Sequence, residues 1–463
     1  MIENVTVIDA SGSPPKPGMT VIVESGRIAA VSRSKKAHIP KNAVVVDGVG
    51  KFLIPGLWDM HAHGTADSSA PWTHLLFLAN GVVGVRDMFG PPDAHAWRAT
   101  QVSNEDPSPT IYLGSPVVDG ANPRWPNSIV VTDDAQGRQV VDQQQQRGAD
   151  FIKVYDKLPR SVYYAIADEA SKRGISFEGH VPESISAEDA SDAGQKSIEH
   201  LTRVALSCSK EENAIAEELR KQEATFRAPH ATTAQKMDSG KRINDLHQRV
   251  VDTYDDATAQ ALFARFVKND TWQCPTLTLL QAQTEDPPPA DDSRLKYLPE
   301  ADQARFEAGY WKDFPPVARV WTVKVTRSEF GESLKIVGSM YKAGVSILAG
   351  TDAMNPQCFP GFSIHDELAL LVEAGLPPLA ALQAATRNAA QFMGQLDRRG
   401  TIESGKIADL VLLDKDPLAD IHNTRTIQAV VLNGRLFKRA DLDAMLDKAQ
   451  AIASRVNGGL AEK

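Results

Sequence analysis

Short apolar or alternating runs broken by Gly and Pro open the chain, at residues 5–8, 20–24, 27–31 and 43–46, with turn signals at Ser25-Gly26 and Asp47-Gly48. This pattern predicts a small antiparallel sheet. Similar runs return at 408–413 and 427–432, the second followed by Asn433-Gly434, which favours a tight hairpin turn. Two half-sheets at opposite ends of the sequence predict one composite β-domain, formed by residues 1–50 together with 400–440.

Between them the pattern changes to apolar strand, turn and amphipathic helix, repeated. The strands are predicted at 53–58, 82–87, 110–118, 151–155, 175–179, 197–199, 273–277 and 345–350. Helical periodicity fills most gaps, as from Ser161 to Arg173 before Gly174, and from Ser186 to Ala193, where Ser186 and Asp189 have capping-box spacing. Alternating β and α segments imply a parallel sheet, and eight of them imply a closed (β/α)8 barrel over 51–399, an α/β architecture of TIM type. Two gaps are too long for simple crossovers, and residues 209–270 and 293–344 read as helical insertions. The stretch from Thr284 to Asp292 is a polar, proline-rich hinge or surface loop, and 441–463 is a C-terminal helix or tail.

Composition narrows the class. The 463 residues are 42% hydrophobic and 24% charged, as in globular proteins, which excludes a disordered, collagenous or coiled-coil chain. With 50 Lys+Arg against 59 Asp+Glu the formal charge is -9, and no basic block supplies the footprint that nucleic acid or an anionic membrane needs. Cys208, Cys274 and Cys358 are few and widely spaced, as buried thiols would be, not a disulfide framework. No apolar run reaches membrane-spanning length. The chain reads as cytoplasmic, with export after removal of a leader left open.

In a parallel barrel the active site lies at the carboxyl ends of the strands, so polar residues ending apolar runs carry the most weight. His61 and His63 do so in Asp59-Met-His-Ala-His-Gly64, and strand alternation puts both imidazoles on one side, where they can share a metal. Lys153 ends the fourth strand, His180 the fifth, His200 the sixth and Asp352 the eighth. Singly, each has a plain structural reading: a surface His-x-His, a satisfied core histidine, an Asp352 that caps a helix. Four of eleven histidines, a lysine and an aspartate falling in this order at one barrel mouth point to a metal site. Lys153 is the most informative of them, because burial favours its neutral amine, which can add carbon dioxide to give a carbamate able to bridge two divalent cations. The alternative is a lysine salt-bridged to barrel carboxylates.

The chain resembles the amidohydrolase superfamily throughout. The Ile54-Pro-Gly-Leu-Trp-Asp-Met-His-Ala-His63 entry is similar to that family's first-strand motif, and Gly405-Lys-Ile-Ala-Asp-Leu-Val-Leu-Leu413 and Val431-Leu-Asn-Gly-Arg435 to its closing sandwich motifs. The resemblance is nearest to binuclear members related to Xaa-Pro dipeptidases, ochratoxin-type amidases and imidazolonepropionase-like proteins, although imidazolonepropionase itself is mononuclear and lacks the lysine. It implies a barrel beside a β-sandwich made from both chain ends. Carried over by position, it implies that His61, His63 and Asp352 hold one metal, that His180 and His200 hold the other, and that carboxylated Lys153 bridges them. Zinc is the default for these ligands, with manganese or cobalt as substitutes. A metal-bridging hydroxide would then hydrolyse an amide bond of a dipeptide or N-acyl amino acid, with Asp352 carrying the proton to the leaving nitrogen. The resemblance also suggests a homo-oligomer.

Substrate contacts are sought in Tyr155, two residues beyond Lys153 and on the same side; in Arg124, whose fork suits a carboxylate; and in His230 and His365. For the two histidines a structural role weighs more; for Tyr155 barrel packing weighs equally, and for Arg124 a solvated loop weighs at least equally. Arg86-Asp87 reads as a buried pair at the end of the second strand. Competing functions are a mononuclear deaminase or cyclic-amide hydrolase that uses Glu183 of His180-Val-Pro-Glu183, a lactone or phosphotriester hydrolase, and a non-catalytic scaffold.

Overall fold

The computed structural model describes residues 1–34, 43–101, 106–285, 288–289, 291–312 and 316–456. The last residues of the predicted tail, and parts of the 284–292 loop, lie outside them. One eight-stranded sheet unites the chain ends. Its seam is the antiparallel pairing of Phe52–Pro55 with Leu410–Leu413, in which Leu53 faces Leu412 and Ile54 faces Val411. Because successive side chains point to opposite faces, this seam serves two cores. Leu53, Leu410 and Leu412 pack with Val5, Val21 and Ile28 in the small β-domain. Ile54, Val411 and Leu413 join the barrel core instead. Burial on both faces is why these strands read as unbroken apolar runs rather than alternating ones.

The run predicted as a first barrel strand at 53–58 is therefore two strands. Phe52–Pro55 belongs to the composite sheet, and Leu57–Ala62 is the first strand of the barrel. The break falls at Gly56, where a Cβ would stand 2.4 Å from a methyl group of Val83, so only glycine lets the chain pass this close as it changes sheets.

Seven further strand segments continue the barrel in parallel. Leu57–Ala62 pairs with Val82–Asp87, which pairs with Thr110–Leu113. A bridge from Gly114 to Phe151 leads to Phe151–Val154, followed by Ser176–Gly179, Ser197–Glu199 and Trp272–Cys274. Residues 345–353 close the ring, through a Gln273–Ile347 bridge on one side and an Ala62–Ala353 bridge on the other. The insertion after the sixth strand folds as the helices Glu212–Arg227, Thr233–Asp252 and Asp256–Asn269, and that after the seventh as Glu300–Ala308 and Pro316–Ala343. Among the described residues no helix is long and apolar enough to cross a membrane. All three cysteines are buried and free.

Candidate active site

Lys153 and Glu199 lie within barrel strands, and His61 sits inside the first strand, near its carboxyl end. His63 follows two residues later, so both imidazoles reach the same oxygen: His61 Nε2 is 3.4 Å and His63 Nε2 2.9 Å from Asp352 Oδ1. His200 Nε2 lies 3.8 Å from Asp352 Oδ2. The ring of His200 stands 4.4 Å from that of His61 and 4.9 Å from that of His180, and His180 stacks at 4.0 Å on Tyr155. Lys153 Nζ is 5.9 Å from the centre of the Tyr155 ring. His61, His63, Lys153, His180, His200, Asp352 and Tyr155 thus meet at one mouth. His200 and Asp352 both have left-handed backbones, at φ 56° and 56°, an uncommon strain for residues without glycine's freedom.

Each of three imidazoles is gripped from outside. His61 Nδ1 is 2.7 Å from Glu199 Oε2, His180 Nδ1 2.7 Å from Asp156 Oδ1, and His200 Nδ1 2.6 Å from Thr276 Oγ1. Thr276 donates its own hydrogen to the Pro275 carbonyl, so it accepts from His200. With Nδ1 holding the hydrogen, Nε2 of each ring is a lone pair turned inward, the tautomer a metal ligand needs. Burial, then Lys153 and neighbouring imidazoles, hold His61 well below the usual histidine range; burial, with His180 and Lys153, does so for His200.

Both the acidic and the basic group are drawn down, which favours a charged carboxylate and a neutral amine. Burial disfavours the ionised Asp352, yet His200, His63 and Lys153 prevail and hold its carboxyl down at about 2. Burial draws the Lys153 amine down to about 8 against the pull of Glu199 and Asp352. Among the described residues Lys153 forms no ion pair, so the salt-bridged alternative has no partner in contact. Among the described residues His63 Nδ1 is buried without a hydrogen bond, and Asp352 Oδ1 is met only by the ring nitrogens of His61 and His63. A cation fits these residues: ligand atoms of His61, His63 and Asp352 lie within 4.8 Å of one another, with lone pairs facing across the gap.

Other expected residues go elsewhere. Arg86 is buried, but its partners are Glu178 and Glu199, at 2.7 and 2.9 Å, not Asp87. Adjacent strand residues point to opposite faces, and Asp87 instead binds Thr65 and the Phe89 amide. His365 is buried with Nδ1 2.9 Å from Thr424 Oγ1 and Nε2 3.2 Å from the Asn80 carbonyl, so both nitrogens are engaged by the protein's own oxygens. His230 is exposed in the turn between two insertion helices. Arg124 is exposed too, stacked 5.4 Å over Trp125, whose Nε1 donates to Tyr155 Oη at 3.0 Å. Glu183 pairs with Arg227 of the insertion at 3.1 Å. Sequence reasoning missed Glu199, Asp156 and Thr276, although each carboxylate adjoins a singled-out residue. It also missed Asp59, which accepts from Thr351 Oγ1 at 2.6 Å and so ties the first strand to the eighth beside Asp352.

An amidohydrolase family model matches residues 317–437, the part of the chain that carries Asp352. Ochratoxinase of Aspergillus niger is 37% identical over 110 residues, 23% of this chain and 22% of that enzyme, so the match spans about a fifth of the relative. Bottromycin amidohydrolase superposes with a TM-score of 0.73 at 25% identity, covering 97% of this chain and 89% of the other. A Xaa-Pro dipeptidase with bound methionine gives a TM-score of 0.64 at 20% identity, over 94% and 99%. Residues 317–437 thus match the amidohydrolase family, and the chain as a whole is similar in fold to these amidohydrolases.

Proposed function

We propose that this protein is a metal-dependent hydrolase of a C–N amide bond, in a dipeptide or an N-acyl amino acid, and that it works with two divalent cations. The observation that carries this reading is the clustered imidazoles of His61, His180 and His200, each fixed by an oxygen behind its ring, with Nε2 of His61 and His200 at 3.4 and 3.8 Å from the Asp352 carboxylate. The names of the similar proteins, an ochratoxinase, a Xaa-Pro dipeptidase and a bottromycin amidohydrolase, support amide or peptide cleavage.

His61, His63 and Asp352 would hold one cation and His180 and His200 the other. Lys153 would join them as a carbamate: its neutral Nζ adds to the carbon of carbon dioxide, and the proton released goes to solvent. Zinc suits these ligands, and bound cations supply an activated water and polarise the scissile carbonyl. Asp352 takes the proton from the attacking water and passes it to the leaving nitrogen. Tyr155, which accepts from Trp125, keeps its own hydrogen for a substrate carbonyl or carboxylate, and burial keeps that phenol protonated. The Arg124 fork at the rim would receive a carboxylate.

Metal content per chain, with the intact mass and ¹³C signal of Lys153 under ¹³C-labelled carbon dioxide, tests the reading. Two cations, a carbamate, and loss of both metal and dipeptide or N-acyl amino acid hydrolysis in Lys153→Ala are expected. One cation with an unmodified lysine, or full activity in Lys153→Ala, overturns it.

A further inference from the structure

Asp352 is flanked by a connected set of hydrogen bonds that also holds His61 and His63. Asp59 lies two residues before His61 in the same strand, so alternation puts both side chains on one side of it. Its Oδ1 accepts from the backbone amides of His61 at 3.2 Å and Thr351 at 3.0 Å, and its Oδ2 from Thr351 Oγ1 at 2.6 Å. Thr351 Oγ1 in turn accepts from the Ala353 amide at 3.1 Å, and the Ala353 carbonyl from the His63 amide at 2.9 Å. Asp59 and Thr351 are both fully buried. Gly350 permits the approach of the eighth strand to the first, since a Cβ there would stand 2.8 Å from the backbone nitrogen of His61.

The Thr351 hydroxyl therefore spans Asp352, tied to Asp59 on one side and to Ala353 on the other. Between these ties the Asp352 amide donates to the His61 carbonyl at 2.7 Å, and the backbone of Asp352 is left-handed at φ 56°. A residue with a side chain keeps that conformation only where its surroundings over-determine it. The other imidazoles have different supports. His180 is held by Asp156 and His200 by Thr276, and among the described residues no hydrogen bond joins Asp156 or Thr276 to Asp59 or Thr351.

We propose that Thr351, anchored on Asp59, is a positioning residue: its hydroxyl keeps Asp352 in the left-handed conformation that turns its carboxylate to His61 and His63. Thr351 thereby sets the affinity of the cation that these three residues hold, and not that of the other. This rests on the two-cation reading and adds that the two positions stand on separate supports.

The test titrates metal-free protein with zinc ion against a chromophoric chelator, so that stepwise affinities are read without turnover. Thr351→Val keeps the shape of the side chain and removes the hydroxyl, whereas Thr351→Ser keeps the hydroxyl. In Thr351→Val one affinity should fall about 10–100-fold while the other holds, and Thr351→Ser should match wild type. His180→Asn and His63→Asn chains assign the step: adding Thr351→Val should lower the affinity left in the first and not that left in the second. If Thr351→Val does not fold, Asp59→Asn, whose Nδ2 cannot accept from Thr351, goes through the same titrations with the same expectation. Equal losses at both steps, no loss at either, or a loss in the His63→Asn chain overturns the role of Thr351 and leaves the two-cation reading intact. Wild type that takes up a single cation overturns the two-cation reading. The positioning role then stands if that one affinity falls in Thr351→Val and returns in Thr351→Ser, and is overturned if it does not.

Discussion

Glu199 stands between His61 and Arg86: its Oε2 lies 2.7 Å from His61 Nδ1, and both its oxygens take 2.9 Å hydrogen bonds from Arg86 Nη2. The orientation of one inward imidazole thus depends on a carboxylate that a buried cation holds in place. In Glu199→Gln an amide N–H can face Nδ1, which moves the ring hydrogen to Nε2 and removes the lone pair a cation needs. Metal affinity, read by competition with a chelator, should fall about 10–100-fold while the fold is kept. Wild-type affinity in this variant would show that Glu199 does not set the tautomer.

Arg86 should matter to the whole barrel. It also donates to Ser197 Oγ and the Met60 carbonyl, so one guanidinium joins the first, second, fifth and sixth strands. Arg86→Met strands Glu178 and Glu199 as uncompensated buried carboxylates, for which about 3–5 kcal/mol of lost stability is the expected cost. The urea midpoint should drop accordingly, and substituting Glu178→Gln in the same chain should recover part of it.

The mouth was legible in the sequence because its residues break a rule there. Histidines, a lysine and an aspartate fall at the ends of mostly apolar strands, and barrel geometry brings strand ends together. The Pro55-Gly56 switch was not legible, since strands buried on both faces leave no alternation to show where one sheet ends and another begins. Arg86 beside Asp87 misled for the opposite reason, because neighbours in sequence are far apart across a pleat.

Glu367 should impose a pH dependence on stability. Its Oε2 accepts from the amide and hydroxyl of Thr278 at 2.8 and 2.9 Å, but Oε1 is buried without a partner, and burial lifts the carboxyl from 4.5 to about 8. Above pH 4.5 the unfolded chain gives up this proton and the native state does not. Stability from this group therefore falls by about 1.4 kcal/mol per pH unit as pH rises through that window, and the fall ends near 8. Glu367→Gln should remove the slope, so that the Tm of the variant gains on wild type between pH 5 and 8. A constant difference in Tm would contradict an unionised native Glu367.

His365 acts in the other direction. Burial, aided by Arg425, lowers its imidazole from 6.5 to about 4, so below pH 6.5 the unfolded chain takes up a proton that the native state refuses. Stability from His365 is lost as pH falls from 6.5 toward 4, and between 4.5 and 6.5 this slope opposes that of Glu367. His365→Leu severs the contacts to Thr424 and Asn80 and should cost about 1–3 kcal/mol at neutral pH. It should also flatten the acid limb of the Tm profile. If the ring serves packing alone, kcat/KM on any amide the enzyme cleaves should be unchanged in the folded variant. A selective rise in KM would return His365 to the substrate site.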